Sequence, residues 1–460
     1  MTRSRLRRRT DPPQGSRVTG RGLRERLRRA LQGEWKPAAG RPDPVAVLRA
    51  TNTDRLPELV PLRVFRMAAS PFGFFRGAAA VMAADLATLP STGLRVQICG
   101  DAHVKNLGAY AAPDGHLVFD LNDFDETTLG PWEWDLKRLA TSFVLAGREA
   151  NVGKAGRREA VLTLVRTYRE TLNRLAGLFV LDLLKVEVRH HVESEVLHAV
   201  LGKAERVTRE QALQKLTVPA AGGRRRFHDR PPVLYHVPAR TAKAVLASLS
   251  SYRGTLGPDR QLAFDAYRPV DVAFKVVGTG SVGTRDFVVL LFGRGAQDPL
   301  VLQVKQALPS CYAPFLPEAR EYSHQGRRVA EGQHRMQTAT DPLLGWTRID
   351  GLDYIVRQLS DHKAGLEPAD LGGSALQSYA VACGEALAKG HARTGDAAAI
   401  AGYCGRTDRL DRAIARFAGA YADQTEKDHA RLVEAIRAGE IRSASEFRLR
   451  RGWHRGRRAV

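Results

Sequence analysis

Gly278-Thr279-Gly280-Ser281-Val282-Gly283, running into Thr284-Arg285-Asp286-Phe287-Val288-Val289-Leu290-Leu291-Phe292, is the stretch on which the fold turns. The glycine spacing alone is weak evidence, because two arrangements use it. In a dinucleotide-binding fold such a loop opens a helix whose N-terminus meets a pyrophosphate. Here the residues after Gly283 are β-branched, Val-rich and few, which predicts a strand. Val270–Val277 before the loop predicts another. A glycine loop between two strands lies over phosphates as a flap, which makes Gly278, Gly280, Ser281 and Gly283 candidate phosphate-covering residues. Leu300–Ala307 predicts a third strand, and it carries Lys305. A lysine buried on a strand is costly unless it meets an anion, so Lys305 is expected to hold a phosphate. An acid on the next helix, predicted over Pro317–Gln337, would steady it. Glu318, Glu321 and Glu331 are available, with Glu318 or Glu321 nearer the expected spacing. The competing reading is a plain hairpin with a solvent-facing edge lysine.

Upstream lies the densest polar cluster, Gly100-Asp101-Ala102-His103-Val104-Lys105-Asn106, followed by Phe119-Asp120-Leu121-Asn122-Asp123-Phe124-Asp125-Glu126. Arg95–Cys99 and His116–Leu121 read as short strands, and Pro113-Asp114-Gly115 between them as a turn. Phosphoryl transfer needs a carboxylate to orient a hydroxyl and accept its proton. It also needs hard oxygen ligands for Mg²⁺. Asp101 is the candidate base, and Asn106, Asp123 and Asp125 are the candidate metal ligands. Lys105 is a candidate to neutralise the transferred group. The alternative for either half is a turn held by Asx hydrogen bonds. Gly147…Gly153-Lys154 is set aside as a phosphate loop, since it ends in Ala155 rather than Ser or Thr.

The 460-residue chain is long enough for two or three packed units, and its formal charge is +22. Residues 1–30 hold 11 Arg against 2 acids, and residues 441–460 hold 7 Arg against 1 acid. The body is therefore only mildly basic, which suits a phosphate-rich small ligand as well as a polymer. The tails are expected to be solvated and to offer at most non-specific nucleic-acid contact. Cys99, Cys311, Cys383 and Cys404 show no metal-binding spacing and read as reduced thiols of a cytoplasmic protein. No apolar run approaches a membrane span, and the Arg-rich start does not read as a secretory signal. Arg63, Arg66 and Arg76 sit among the apolar residues of 59–89, where they face either water or an anionic acceptor.

Several motifs together resemble a bacterial family known as domain of unknown function 2252. They are Arg66-Met67 with Phe74-Phe75-Arg76-Gly77, the Gly100–Asn106 loop, and Asn122-Asp123-Phe124-Asp125-Glu126. Gly130-Pro131-Trp132-Glu133-Trp134-Asp135 with Lys137-Arg138-Leu139, and Gly390-His391-Ala392-Arg393, complete the set. The resemblance covers roughly residues 45–440. One departure is Gln306, where the family commonly shows Glu. The Gly100–Asn106 loop is also similar to the catalytic loop of aminoglycoside phosphotransferases and choline kinases. That resemblance implies Asp101 as base, Asn106 and Asp123 as metal ligands, and Asp135 as a brace of the catalytic loop.

The order is unusual for a kinase: the glycine loop follows the catalytic loop by about 170 residues, and Tyr379–His391 resembles the helix that normally precedes that loop. A circular permutation accounts for this. The expected fold is α+β, a protein-kinase-like two-lobe fold in permuted order. A basic disordered lead-in (1–45) would precede a helical lobe with the catalytic and metal loops (46–217). A connector (218–262), a small sheet lobe (263–360), completing helices (361–440) and a basic tail (441–460) would follow. The expected activity is ATP- and Mg²⁺-dependent phosphotransfer to a hydroxyl acceptor, with nucleotidyl transfer sharing the same parts. Rival readings are a nucleotide-binding module without chemistry and nucleic-acid binding through the tails.

Overall fold

Val, Phe and Leu fill 287–292 without interruption and recur along 268–275 and 299–306, and these runs build the long central strands of the molecule. The computed structural model describes residues 13–188, 195–205, 209–220, 225–359 and 365–445. In chain order the strands are β1 (Arg95–Ile98), β2 (Leu107–Ala111), β3 (Leu117–Leu121), β4 (Thr128–Pro131), β5 (Thr217–Pro219) and β6 (Arg225–Phe227). They continue as β7 (Leu234–His236), β8 (Arg268–Lys275), β9 (Asp286–Phe292), β10 (Pro299–Gln306), β11 (Gly345–Ile349) and β12 (Leu352–Gln358). The last six form one antiparallel sheet in the order β11-β12-β10-β9-β8-β7. Asp350 (φ +50°) and Gly351 (φ +81°) close the β11–β12 hairpin with two left-handed residues, the geometry that tight hairpins favour.

Both faces of the sheet are covered. Phe287, Val289, Leu302, Val304 and Val356 pack with Val245, Leu249 and Tyr252 of the Ala239–Arg253 helix. On the other face, Val288 and Leu290 meet Leu213, Phe227 and Leu234. Further along that same face the cross-strand pairs become polar, from Val288 opposite Gln303 to Asp286 opposite Lys305. This polar end is the one that meets the rest of the chain.

The helical part is built around Trp132–Glu149, which is buried from Trp132 to Gly147. Leu136, Leu139, Ala140 and Phe143 share one core with Tyr168 and Leu172 of Lys154–Leu175 and with Tyr379, Cys383 and Leu387 of Ala375–Thr394. β1 pairs with β4, and β2 with β3, against this core. The molecule is thus a mixed α+β protein, with the sheet part inserted between helical segments that pack together. None of the four cysteines is disulfide-bonded. No helix among the described residues is long and apolar enough to cross a membrane.

Residues 13–45, expected as a largely disordered lead-in with one short helix near Leu23–Leu31, carry a longer helix that begins earlier, Pro13–Arg26, laid across Ala397–Cys404. Two glycines permit the approach: a Cβ on Gly20 would stand 1.9 Å from the Ala399 carbonyl oxygen, and one on Gly402 2.4 Å from that of Arg17. Arg41 then inserts between Asp85 (Nε–Oδ1 2.8 Å) and Asp428 (Nη2–Oδ2 2.6 Å), and Tyr421 donates to Asp85 (2.6 Å). The single helix expected over Pro317–Gln337 is broken. A 3₁₀ turn, Pro317–Arg320, precedes the helix Gln325–Met336, which His324 caps by accepting from the Arg327 amide (3.3 Å). The extreme tails, 1–12 and 446–460, lie outside the described residues.

Candidate active site

The loop after β1 is held by one helix. Asp135, in the first turn of Trp132–Glu149, is fully buried and accepts from the Cys99 amide (2.8 Å) and the Gly100 amide (2.9 Å). His391 Nε2 lies 3.3 Å from the same carboxylate, and its Nδ1 lies 2.7 Å from the Tyr168 hydroxyl. Gly100 has φ +83°, and a Cβ there would stand 2.4 Å from the Glu126 carbonyl oxygen, so the loop admits only glycine at this point. Three residues after Asp135, on the same helix face, Arg138 reaches Asp101 Oδ1 (Nε 2.7 Å, Nη2 2.6 Å). Arg138 also donates to the Phe75 carbonyl (2.8 Å) and stacks on the Phe75 ring at 4.1 Å. Burial pushes the Asp101 carboxyl up, against the pull of Arg138.

Asn106 donates from Nδ2 to the Asp101 carbonyl (2.9 Å) and lines the cleft with Asp101 and Asp123. That bond fixes the amide so that its oxygen remains as an acceptor. The Asn122 amide donates to the Asn106 carbonyl (2.8 Å), tying the two polar loops together. Within the second loop the Asp125 amide donates to Asp123 Oδ1 (3.1 Å). Arg328, fully buried on Gln325–Met336, donates to the carbonyls of Asp125 (2.8 Å), Thr127 (2.5 Å) and Leu308 (2.9 Å). The loop's backbone is therefore set by an arginine from the sheet part.

The glycine loop joins β8 to β9 and opens no helix. Gly278 (φ +62°) and Gly283 (φ +91°) take its left-handed positions. Arg66 donates to the Gly278 carbonyl, and Arg55 to that of Val282 (2.7 Å), so residues before β1 hold the loop down. Ser281 Oγ donates to Asp125 Oδ2 (3.2 Å), and the Lys305 ammonium pairs with the same oxygen. Burial opposes both charges, yet Lys305 holds Asp125 below the usual carboxylate range and Asp125 raises Lys305.

The partner of Lys305 is thus Asp125, not Glu318 or Glu321. Glu318 sits on the 3₁₀ turn and faces Arg95 (3.7 Å), Glu321 ends that turn, and Glu331 pairs with Arg327 and Arg335. The reason is the broken helix, which carries the expected acids away from β10. Lys105 also departs from expectation: it turns to Glu367 and does not line the cleft. The remaining expected residues, all but Gly283, line one or both of two adjoining cavities. A cavity of about 790 Å³ is lined by Asp101, Asn106, Asp123, Asp125, Gly278, Gly280 and Ser281. A second, of about 450 Å³, is lined by Asp123, Gly278, Ser281, Lys305, Arg357 and Gln358. Asp123, Gly278 and Ser281 belong to both and form the seam between them. Among the described residues no group of three or more His, Cys, Asp or Glu is placed to hold a metal by itself. Asn106 and Asp123 are oxygen donors of the kind Mg²⁺ takes, and Mg²⁺ commonly draws its other ligands from phosphates and water.

Arg138, Arg328 and Arg55 were not singled out from the sequence as site residues. Arg138 alone carried a signal, its spacing of three from Asp135 on a helix.

A family model described as "Uncharacterized protein conserved in bacteria (DUF2252)" matches residues 55–435. The chain belongs to this family. No curated protein and no solved structure matches it. The DUF2252 span takes in both polar loops, the glycine loop, Lys305 and His391, and leaves out the helix Pro13–Arg26. Gln306 accepts from the Arg285 amide (3.1 Å) and guanidinium (3.3 Å) and so ties the end of β10 to the residue before β9.

The polar end of the sheet carries one titratable group with a testable consequence. Asp286 is 1 % exposed, and its Oδ2 accepts from Gln303 (2.7 Å) while Oδ1 has no partner. Burial pushes its carboxyl up to about 7. The folded chain then holds this proton more tightly than the unfolded chain. Stability from the group is full below about pH 4 and is lost as the pH rises toward 7. Asp286→Asn removes that loss. Its stability advantage over wild type is expected to be wider at pH 8 than at pH 5 by up to about 2–3 kcal/mol. A gap in urea unfolding that does not change with pH would rule Asp286 out as the titrating group.

Proposed function

We propose that this chain is a nucleotide-triphosphate- and Mg²⁺-dependent phosphotransferase that acts on a hydroxyl, a kinase-like site met in permuted order along the chain. One observation carries the reading. The glycine loop, reaching the cleft from a strand hairpin, stands in one cleft with Asp101, Asn106 and Asp123, and Lys305 borders the adjoining cavity across a shared seam. The smaller cavity, bordered by Lys305, Arg357 and the end of β12, suits the nucleoside. The seam suits the phosphates, and the larger cavity the acceptor. Asn106 and Asp123 would hold Mg²⁺, which supplies neutralisation of phosphate charge when bound.

Asp101 orients the acceptor hydroxyl and takes its proton. The hydroxyl oxygen forms the new bond to the γ-phosphorus, and the bond from that phosphorus to the β–γ bridging oxygen breaks. The nucleoside diphosphate leaves with the electron pair. Gly278–Gly283 covers the phosphates and keeps water out, and Lys305 faces their charge from β10. Asp125 holds Lys305 meanwhile, as an acid from a following helix was expected to do.

Thermal melting with ATP and Mg²⁺ tests the reading. A ligand that binds only the folded chain stabilises it by about 2.7 kcal/mol at a hundredfold excess over Kd. The shift is expected in wild type, is expected to depend on Mg²⁺, and is expected to be lost in Lys305→Ala. Asp123→Ala is expected to abolish metal-dependent nucleotide turnover. No shift at millimolar ATP would make the glycine loop and Lys305 structural and sink the proposal. A shift without turnover against any hydroxyl acceptor would favour a nucleotide-binding module.

A further inference from the structure

The larger cavity holds more fixed positive charge than phosphoryl transfer uses. Arg63, on Val60–Ala68, is 2 % exposed. It donates to Asn52 Oδ1 (2.7 Å) and the Gly77 carbonyl (2.6 Å), and its buried Nε has no partner. Arg76, at the end of Pro71–Gly77, also has a buried Nε without a partner. Both line the cavity beside Asp101 and Asp123, as does Arg55. No carboxylate of the described residues lies within ion-pair distance of any of these three guanidinium groups. Three of the cavity's acids are engaged elsewhere, Asp101 by Arg138, Asp125 by Lys305 and Glu126 by the Cys311 amide (2.6 Å), while Asp54 and Asp123 also line it. A guanidinium cannot shed its proton. Burying one without a counter-charge is costly, and neutral carbonyls offset only part of the cost. Of the three arginines expected along 59–89 as an anion-facing set, Arg66 turns to the glycine loop, while Arg63 and Arg76 remain in the cavity.

We infer that the acceptor is a small anionic alcohol, a hydroxyl compound bearing a carboxylate or phosphate that Arg76 and Arg63 receive while its hydroxyl faces Asp101. This rests on the phosphotransferase reading for the identity of the cavity as the acceptor side. Bidentate guanidinium recognition suits either anion.

The test compares probes that share hydroxyls and differ in charge. The full chain is melted with D-glycerate, glycerol 3-phosphate or glycerol at matched ionic strength, with ADP and Mg²⁺ present. The two anionic probes are expected to raise Tm by at least about 2 °C and glycerol not at all. Arg76→Gln is expected to lose that rise while keeping the shift given by ATP and Mg²⁺. Arg76→Lys, which retains a charge, keeps part of the anion response and guards against a folding defect in the first variant. Equal responses to anionic and neutral probes, or none to either anion, overturn the inference. Loss of the ATP shift in Arg76→Gln also overturns it, because Arg76 would then serve the nucleotide. An anion shift in a wild type that shows no ATP shift would leave the anion site standing and fail the phosphotransferase reading instead.

Discussion

Asp101→Asn is expected to cut turnover about a thousandfold while ATP and Mg²⁺ still raise the melting temperature. A positioned general base contributes roughly 10²–10⁴ in rate. Asp101 Oδ1 is taken by both contacts from Arg138, which leaves Oδ2, with His103 Nε2 3.7 Å away, as the oxygen that would accept a proton. The amide of Asn keeps the shape and can still meet Arg138, but it cannot take the proton. The variant carries a second cost, because Arg138 is fully buried and loses its counter-charge. Breaking a buried pair from one side costs about 3–5 kcal/mol. Turnover is therefore to be measured at low temperature, with the ATP-induced shift as evidence of a folded chain. Turnover within tenfold of wild type would remove Asp101 from the role of base.

Arg41→Ala is expected to cost about 3–5 kcal/mol in urea unfolding without touching the cleft. Arg41 bridges Asp85 and Asp428, whose side chains are 4 % and 5 % exposed, and it is the only cation whose contacts with them are described. Its removal leaves two buried carboxylates facing each other. Tyr421 gives Asp85 one hydrogen bond, which does not replace the charge. A loss below about 1 kcal/mol would mean that water reaches both carboxylates.

Most of the strands around the site were legible because they are short runs rich in Val, Leu and Phe between glycine- or polar-rich turns. Arg95–Ile98, Leu117–Leu121 and the three strands around Gly278 and Lys305 fall where the pattern puts them, but β2 was not read as a strand, and Arg95–Ile98 pairs with β4 rather than with β3. The Asp101, Asn106 and Asp123 grouping was legible from spacing. Asp135, expected from resemblance as a brace of the loop, meets the Cys99 and Gly100 amides. What was not legible is pairing across the chain. Nothing local to Lys305 marks Asp125, 180 residues earlier, as its partner over Glu318 or Glu321. Nothing local to Arg41 marks it as buried, since its neighbours are Pro, Gly and Asp. The Arg-rich composition of 13–45 hid an ordered segment, and the Gly20–Gly402 approach that seats it spans most of the sequence.

Two buried partners near the Asp101 loop arrive late. Asp135 meets His391 from 256 residues further on, and Asp120 meets Lys389 from 269 residues further on, both in the interior. A ribosome releases the Asp101 loop long before either partner exists. Domains tend to fold as units as they emerge, but this one cannot close around its cleft until nearly all of it has been made. Contacts so distant in sequence also slow folding, since chain closure must precede their reward. The nascent chain therefore passes through a long interval in which Asp120 lacks Lys389 and Asp135 lacks His391.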